Sequence, residues 1–347
     1  MPKQLNSDYN EVAIPFTKMS FTPDVPPQSL GPNEYNIGLN VETDVRGIRS
    51  VAGDLAFLDS IPGTPTYVSG GFRQGETWFY IVATTEGKWY ASSSTITWYD
   101  ITPGGQTFTG YTQQMNITEA WSGTVPVFND GINPPMFLPD SPSATMIMYS
   151  NSNNTFEISN IAYLDPTTQQ ITLSVTQPSP PYQPGEQIII DGVNIYYDGV
   201  FTVVSSTTTT IDYLAVPGGA YPGGLGAVVK SQYIWNYNTN WKSVSAGFLR
   251  MYNTPNVGSV LVAGNLTATL QDDSVVNYPV TVQWSQNFGL NQMPLTWEPT
   301  ITNVANQLEV PLRGEALDAF PANGQFFLSS YWDTVVFSPI NYSTTSV

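Results

Sequence analysis

The sequence predicts an all-β protein made of antiparallel meander sheets, and three observations support that fold class. Charged residues make up only 11% of the 347 residues, so uncharged polar residues must cover much of the surface. Of these, Ser, Thr and Asn compete with the helix backbone for hydrogen bonds, which disfavours helices. Gly and Pro number 28 each and punctuate the whole chain, as many short strands joined by turns require. Short apolar–polar alternations recur at roughly ten-residue spacing, which is typical of a sandwich, a barrel or a propeller blade.

Residues 1–33 are polar and interrupted by prolines, so we expect an extended N-terminal arm. The arm carries the apolar side chains Ile14, Phe16, Met19 and Phe21. These four residues are the predicted partner-binding residues, because an arm of this kind can become ordered when its apolar groups dock. A disordered terminus is the alternative, and the residues alone leave both open.

The alternating pattern starts near Tyr35, and we predict one β domain from residues 34–145 and 231–340, interrupted by an insert at 150–230. Residues 141–155 lack a regular pattern and are expected to be a linker. Predicted strands before the insert are Tyr67–Phe72, Thr77–Ala83, Lys88–Ser92, Thr95–Ile101 and Val125–Phe128. The insert has the size of a small β-sandwich or barrel, with predicted strands Ile188–Ile190, Phe201–Val204 and Thr210–Leu214.

The first pattern resumes after the insert. Trp284 and Trp297 flank a Pro/Asn/Gly loop here, and each follows a short β-type run, as in a sheet that buries an aromatic residue at its turn. No convincing helix is predicted, and Asn303–Leu308 and Glu315–Phe320 are the candidates for a single helical turn each. Residues 341–347 are predicted to be a polar tail. Predicted strands are Phe248–Tyr252, Ser259–Ala263, Leu266–Leu270, Tyr278–Trp284, Gly324–Ser329 and Thr334–Ser338.

The net charge is −17, and no Lys or Arg occurs between Lys88 and Lys230. Binding of nucleic acid by phosphate neutralisation needs clustered basic side chains, so this charge excludes it. Two interpretations remain: the charge keeps the protein soluble, or it lines a passage through which DNA slides without binding. The sequence has no apolar run long enough for a spanning helix and no apolar leader segment, so we expect no membrane association and synthesis in the cytoplasm.

The sequence contains no His and no Cys, which removes the usual general bases, thiol nucleophiles and zinc ligands. We therefore predict no catalytic, cofactor-binding or metal site, and no enzyme. Glycoside hydrolysis would need only a carboxylate pair; the candidates are Asp272 with Asp273 and Glu315 with Asp318, but a hairpin turn at 272–274 and a surface turn at 315–318 are favoured. Core packing is favoured for a dense set of aromatic residues that, if exposed, could contact a sugar or a partner: Tyr196, Tyr197, Tyr233, Trp235, Tyr237 and Trp241. The part from Tyr233 to Trp241 is the contact that we assign to the binding hypothesis.

In the run from Phe248 to Phe337, a strand is followed by a loop, a turn and a hairpin. Trp284-Ser285 ends a strand, Pro294 and Trp297 mark a loop, and Asn303-Val304-Ala305 marks a turn. This run resembles the β-propeller tail nozzle or hub proteins of short-tailed bacteriophages.

Two further parts carry the resemblance. Residues 40–49 resemble the opening strand of that family, and 121–138 (WSGTVPVFNDGINPPMFL) resemble its segment of Trp, strand, Asn-Gly and Pro-Met. Residues 156–230, with Pro184-Gly185-Glu186 and Tyr197–Val203, resemble a small β-module inserted in many phage virion proteins. The family's propeller continues beyond the position of Phe337, so the resemblance implies an incomplete propeller, one that another chain completes, or a shortened relative.

The resemblance implies a structural role in the virion tail. A nozzle or hub extends the portal–adaptor complex, retains packaged DNA and conducts it during ejection without binding it specifically. The implied partners are copies of the chain itself in a ring that is usually six-fold, the portal and adaptor proteins, and tail fibres. The alternative hypotheses are a receptor- or glycan-binding virion module, in the tail or on the capsid, and a polysaccharide-degrading tail enzyme.

Overall fold

A computed structural model describes residues 20–21, 29, 34–35, 41–44, 47–50, 59–73, 77–93, 97–141, 144–165, 170–175, 182–215, 226–254, 258–339 and 343–346. The all-β prediction is confirmed: strands and turns form these segments, and no α-helix occurs in them. Consequently, the described segments contain no helix that is long and apolar enough to cross a membrane. The chain divides into two compact units, residues 1–57 and 58–347.

The first unit contains four described strands, which pair in two small sheets. They are β1 (Ser20–Phe21), β2 (Glu34–Tyr35), β3 (Val41–Asp44) and β4 (Gly47–Ser50). Strands β1 and β2 pair in parallel, whereas β3 and β4 form an antiparallel hairpin.

The second unit begins with two four-stranded antiparallel meanders, which we name sheets A and B. Sheet A comprises β5 (Pro65–Arg73), β6 (Thr77–Thr84), β7 (Trp89–Ser93) and β8 (Tyr99–Asp100). A 3₁₀ turn at Pro103–Gly105 follows it. Sheet B comprises β9 (Thr118–Ser122), β10 (Val125–Asn129), β11 (Met136–Phe137) and β12 (Ile147–Met148).

The predicted insert is a closed six-stranded barrel with the strand order β13-β14-β17-β16-β15-β18. Its interior is a separate apolar core, which includes the buried side chains of Ile171, Leu173, Ile188 and Tyr213. The strands are β13 (Thr155–Asp165), β14 (Gln170–Val175), β15 (Gln187–Asp191), β16 (Gly199–Ser206), β17 (Thr210–Leu214) and β18 (Val228–Ser231).

Two further four-stranded antiparallel meanders, sheets C and D, follow the barrel. Sheet C comprises β19 (Trp241–Thr254), β20 (Gly258–Leu270), β21 (Val275–Trp284) and β22 (Asn306–Glu309). Sheet D comprises β23 (Asp318–Ala322), β24 (Gln325–Ser329), β25 (Thr334–Ser338) and β26 (Ser343–Ser346).

Sheets A to D pack face to face in chain order. Successive side chains of a strand point to opposite faces, so a strand in an inner sheet can pack against both neighbouring sheets. In β10, Phe128 packs toward sheet A and its neighbour Val127 packs toward sheet C. In β19, Leu249 packs toward sheet B and Phe248 packs toward sheet D. Sheets B and C are therefore buried on both faces, and their strands carry apolar residues at consecutive positions.

The first strands of successive sheets also contact each other: β9 with β19, and β19 with β23. On the side of sheet A, a Cβ built on Gly71 of β5 would lie 2.5 Å from the Trp121 ring of β9. Glycine is thus required for this close approach of ring and backbone. Four-stranded meanders that follow one another in this way are propeller-like, as the sequence predicts.

Several local predictions were wrong. Residues 141–155, expected as a linker, contain β12 with Met146, Ile147 and Met148 buried. The two candidate helical turns instead overlap β22 and β23, and the polar tail contains β26. The strands predicted at 259–263 and 266–270 are one strand, β20, with a register shift between Gly264 and Leu266.

Candidate functional site at the barrel junction

The barrel packs against the meanders at two tight turns, Pro103–Gly105 after sheet A and Pro184–Gly185 in the barrel. Gly104 and Gly185 have positive φ angles of +58° and +88°. A Cβ on either glycine would lie within 2.6 Å of atoms in the opposite turn, so side chains cannot replace the two hydrogens. The Met148 N–H donates to the Gly185 carbonyl at 3.2 Å, which ties the end of sheet B to the same turn.

Beside this junction lies a cleft of about 630 Å³, within the range of small-molecule sites. Its walls come from the loops after sheet A and within sheet B, from the barrel turn and from β19 to β21 of sheet C. Hydroxyl and carboxamide side chains form most of the lining: Gln106, Thr107, Thr109, Asn133, Ser150, Asn151, Ser152, Gln183, Ser243, Ser245, Thr267 and Thr269.

Glu186 lines the cleft and is only 2% exposed. The Ser150 side chain and the Gln183 backbone hydrogen-bond the Glu186 carboxyl and partly offset the effect of its burial. Its Oε2 atom is buried and has no hydrogen-bond partner within the described part of the chain. Burial raises the pKa of Glu186 to about 8, because a low-dielectric surrounding disfavours the charged form. At neutral pH the carboxyl is therefore mostly protonated.

Among the described residues, no Lys or Arg lines the cleft, and Glu186 is the one ionisable residue that does. Phosphate and carboxylate ligands need cationic or clustered N–H donors, so the lining disfavours anions. The described residues also contain no group of three or more Asp and Glu that could hold a metal ion. The cleft is chemically suited to a hydrogen-bond donor that can approach a buried carboxyl.

A second polar arrangement links the first strands of the sheets. Arg250 of β19 donates to both carboxylate oxygens of Asp318 in β23, at 2.9 and 3.0 Å. Its Nη1 also donates to the Glu119 carbonyl of β9 at 3.3 Å, and Tyr67 of β5 hydrogen-bonds the Glu119 side chain. The four first strands are thus connected by one chain of polar contacts. These groups hold the sheets together.

The predicted partner-binding residues are not tested by this geometry. Ile14, Phe16 and Met19 lie outside the described residues. Phe21 belongs to the two-residue strand β1, of which only the backbone is described. The arm therefore stays a prediction.

The aromatic cluster proposed as a contact surface is largely core. Trp235 is fully buried and Trp241 is 5% exposed. The Trp235 indole donates to the Val244 carbonyl at 2.7 Å and meets the Trp297 ring edge to face at 4.5 Å. Tyr233 and Tyr237 are partly buried against the same core.

Three Asp residues of the candidate carboxylate pairs form hydrogen bonds or ion pairs that stabilise the fold. Asp272 accepts hydrogen bonds from the Ser274 backbone and hydroxyl, and Asp273, with φ +65°, pairs with Lys242 at 2.6 Å. This is the predicted hairpin turn. Asp318 pairs with Arg250 across two sheets instead of lying in a free surface turn.

Sequence reasoning missed Glu186 as a site residue, although Pro184-Gly185-Glu186 was among the residues that carry the resemblance to a phage β-module. A Pro-Gly turn predicts local chain reversal and normally leaves a following Glu in solvent. Its burial results from packing against Met148 and Ser150, which are distant in sequence. The missing signal was the run of apolar residues at 146–149, which marks a buried strand.

No protein-family model matches the sequence, and no curated protein matches it. Among solved structures, the chain is similar to the extracellular domain of a protein from B. thetaiotaomicron described as a one component system. The identity is 8% and the TM-score is 0.21, with 85% of this chain and 34% of that chain covered. The chain thus spans about a third of the length of that domain, and a likeness this weak carries no argument about function.

Proposed function

We propose that this protein is a bacteriophage virion structural protein of the tail nozzle or hub type. In this role it extends the portal–adaptor complex, retains packaged DNA and conducts it during ejection. The observation that carries the proposal is the series of four-stranded meanders A to D, with the first strands of B, C and D in contact and a barrel inserted between B and C. This is the propeller-like plan with an insert that the resemblance implies, and the inference from plan to role is an analogy.

The charge supports the same role. The net charge of −17 makes the molecule as a whole repel the phosphate backbone. Two of its Arg residues, Arg73 and Arg250, are paired with Asp140 and Asp318. A passage that must release DNA benefits from such a surface.

The alternative as a receptor- or glycan-binding module loses its stated contact, because Trp235 and Trp241 lie in the core. A glycan array with the purified protein examines that alternative directly. The tail-enzyme alternative relied on Asp272 and Asp273, which form a turn and an ion pair.

The location of the protein in the virion tests the proposal. Cryo-electron microscopy of the parent particle should show density that fits sheets A to D and the barrel in a ring below the portal. Density for this protein only on the outer capsid surface would contradict the nozzle or hub role and favour an accessory protein.

The isolated protein should also show negligible affinity for duplex DNA at about 150 mM salt, because it cannot neutralise a row of phosphates. Fluorescence anisotropy with a labelled duplex, measured over a series of salt concentrations, provides the check. A basic DNA-binding protein of similar mass serves as the positive control. Tight binding with a steep salt dependence would argue against passive conduction.

A further inference from the structure

We propose that the cleft at the barrel junction binds an aliphatic primary ammonium group, with the Glu186 carboxylate as its counter-ion. This inference does not depend on the proposed tail role. It assigns a ligand class to a cleft from the groups that line it.

The first argument is the unpaired oxygen of Glu186. Buried carboxyl groups in proteins are normally paired with a cation or fully hydrogen-bonded, because removing them from water is costly. Glu186 is 2% exposed, and its Oε2 has no partner within the described residues. A cationic donor in the adjoining cleft would supply the missing interaction.

The second argument is the composition of the walls. An ammonium group has three N–H donors and no acceptor. The cleft offers the Glu186 carboxylate and many hydroxyl and carboxamide oxygens, and no cation of its own repels the ligand. Most of the walls fall between Lys88 and Lys230, the part of the sequence without Lys or Arg, so the local field attracts positive charge.

Other ligand classes fit less well. The lining has no Lys or Arg to hold an anion. Phe108 is the one aromatic residue that lines it, and it is 7% exposed, so the cleft lacks the open aromatic face on which a sugar ring stacks. A hard divalent cation prefers several carboxylates, whereas this lining contains one.

The ligand can reach the carboxylate by a small side-chain movement. Oε2 is enclosed, so binding requires the Glu186 carboxyl to turn toward the cleft. The terminal torsion of a glutamate is broad and soft, and the Ser150 hydroxyl that hydrogen-bonds the carboxyl can rotate with it.

Isothermal titration calorimetry of the full chain with 1,4-diaminobutane tests the proposal. We expect saturable binding at one site, and no binding of 1,4-butanediol, which has the same length but no charge. A second titration with Nα-acetyl-lysine methylamide separates a free amine from a partner's lysine side chain as the source of the ammonium group. Equal binding of diol and diamine would overturn the assignment of the ligand class.

Glu186→Gln should weaken diamine binding about tenfold or more, because it removes the counter-ion while keeping the shape. Glu157→Gln is the matched control: it makes the same substitution at an exposed position of the same barrel, and it should leave binding unchanged. Equal affinities of the Glu186→Gln variant and the unmodified protein would overturn the role of Glu186.

A second variant tests the cleft without changing Glu186. Ser245 lies half-buried in the wall that sheet C contributes to the cleft, so Ser245→Phe should fill the cleft and abolish binding.

Proton release provides a test with the unmodified protein. Titrations at pH 7 in buffers of different ionisation enthalpy should reveal release of nearly one proton per bound diamine, since Glu186 is protonated before binding. Tyr182, the neighbouring titratable group, stays protonated at this pH because burial raises its pKa. Binding without proton release would contradict the counter-ion.

Discussion

Glu186 should make the stability of the molecule depend on pH in an unusual direction. Its carboxyl titrates near 4.5 without the effects of the fold, and burial raises its pKa to about 8. Between these two pH values the folded state binds one more proton than the unfolded state, so the free energy of unfolding falls as pH rises. The contribution is fully present below about pH 4.5 and is lost as pH rises through about 8.

Urea unfolding of the unmodified protein and of Glu186→Gln from pH 5 to 8 tests this pH dependence. The free energy of unfolding of the unmodified protein should fall by up to about 1.4 kcal/mol per pH unit, whereas Glu186→Gln should lack this slope and be the more stable protein at pH 8. The chain has no His to add a slope of its own. The control Glu157→Gln should retain the fall, and identical slopes in all three proteins would contradict the raised pKa.

Residues whose side chains interact with their own or nearby backbone could be predicted from the sequence. Residues whose partners are distant in sequence could not. The turn at Asp272–Ser274 follows from side chains that hydrogen-bond their own backbone two residues on, and it forms as expected. Trp284 and Trp297 are fully buried, as the sequence suggests for large aromatics at the ends of strands. The partners of Arg250 and Glu186 come from other sheets, so their roles depend on packing that no local pattern encodes.

The strands likewise divide into those that the sequence predicts and those that it does not. Strands β6 and β25 agree closely with prediction, because their apolar positions are visible in the sequence, whereas β16 extends beyond its predicted range at both ends. Strands β12 and β22 have only two and four residues. Such strands are stabilised by the neighbour with which they pair and hold little pattern of their own. Asn265, with φ +55°, lies at the register shift of β20 and explains why one strand was predicted as two.

Elements of different sheets are joined by Arg250, whose contact with Asp318 connects the first strands of sheets C and D. The geometry is bidentate, which strengthens an ion pair. Both side chains are partly exposed, at 27% and 47%, so solvent screening reduces the energy.

A double-mutant cycle of Arg250→Met and Asp318→Asn measures this link. We expect a coupling energy of about 1 kcal/mol in the free energy of unfolding from urea denaturation. The pair Lys242 and Asp273, joined by a single contact within sheet C, is the control, and its coupling should be about 0.3 kcal/mol. If the two cycles gave the same coupling, the bidentate contact would not stabilise the packing of sheet D on sheet C.

The whole second unit combines two kinds of core. Sheets A to D share three packed interfaces in chain order, whereas the barrel encloses its own apolar interior. The ends of the barrel lie side by side, because Thr155 of β13 pairs with Lys230 of β18. Beyond them, Ser150 pairs with Ile234, and the Trp235 N–H donates to the Ser150 carbonyl at 2.8 Å. The chain therefore leaves and re-enters the meanders at one point.

This geometry predicts that the barrel can be removed without unfolding the sheets. A variant that joins Asn154 to Gln232 through two glycines should keep a cooperative thermal transition, since adjacent antiparallel Cα atoms are only about 5 Å apart. Its midpoint should fall, because the contacts between Pro184–Glu186 and the meanders are lost. Circular dichroism melts and limited proteolysis provide the measurement, and the excised segment 155–231, expressed alone, should fold around its own core. Diamine binding should disappear from the shortened variant together with Glu186. A shortened chain without a cooperative transition would show instead that sheets B and C need the barrel to pack.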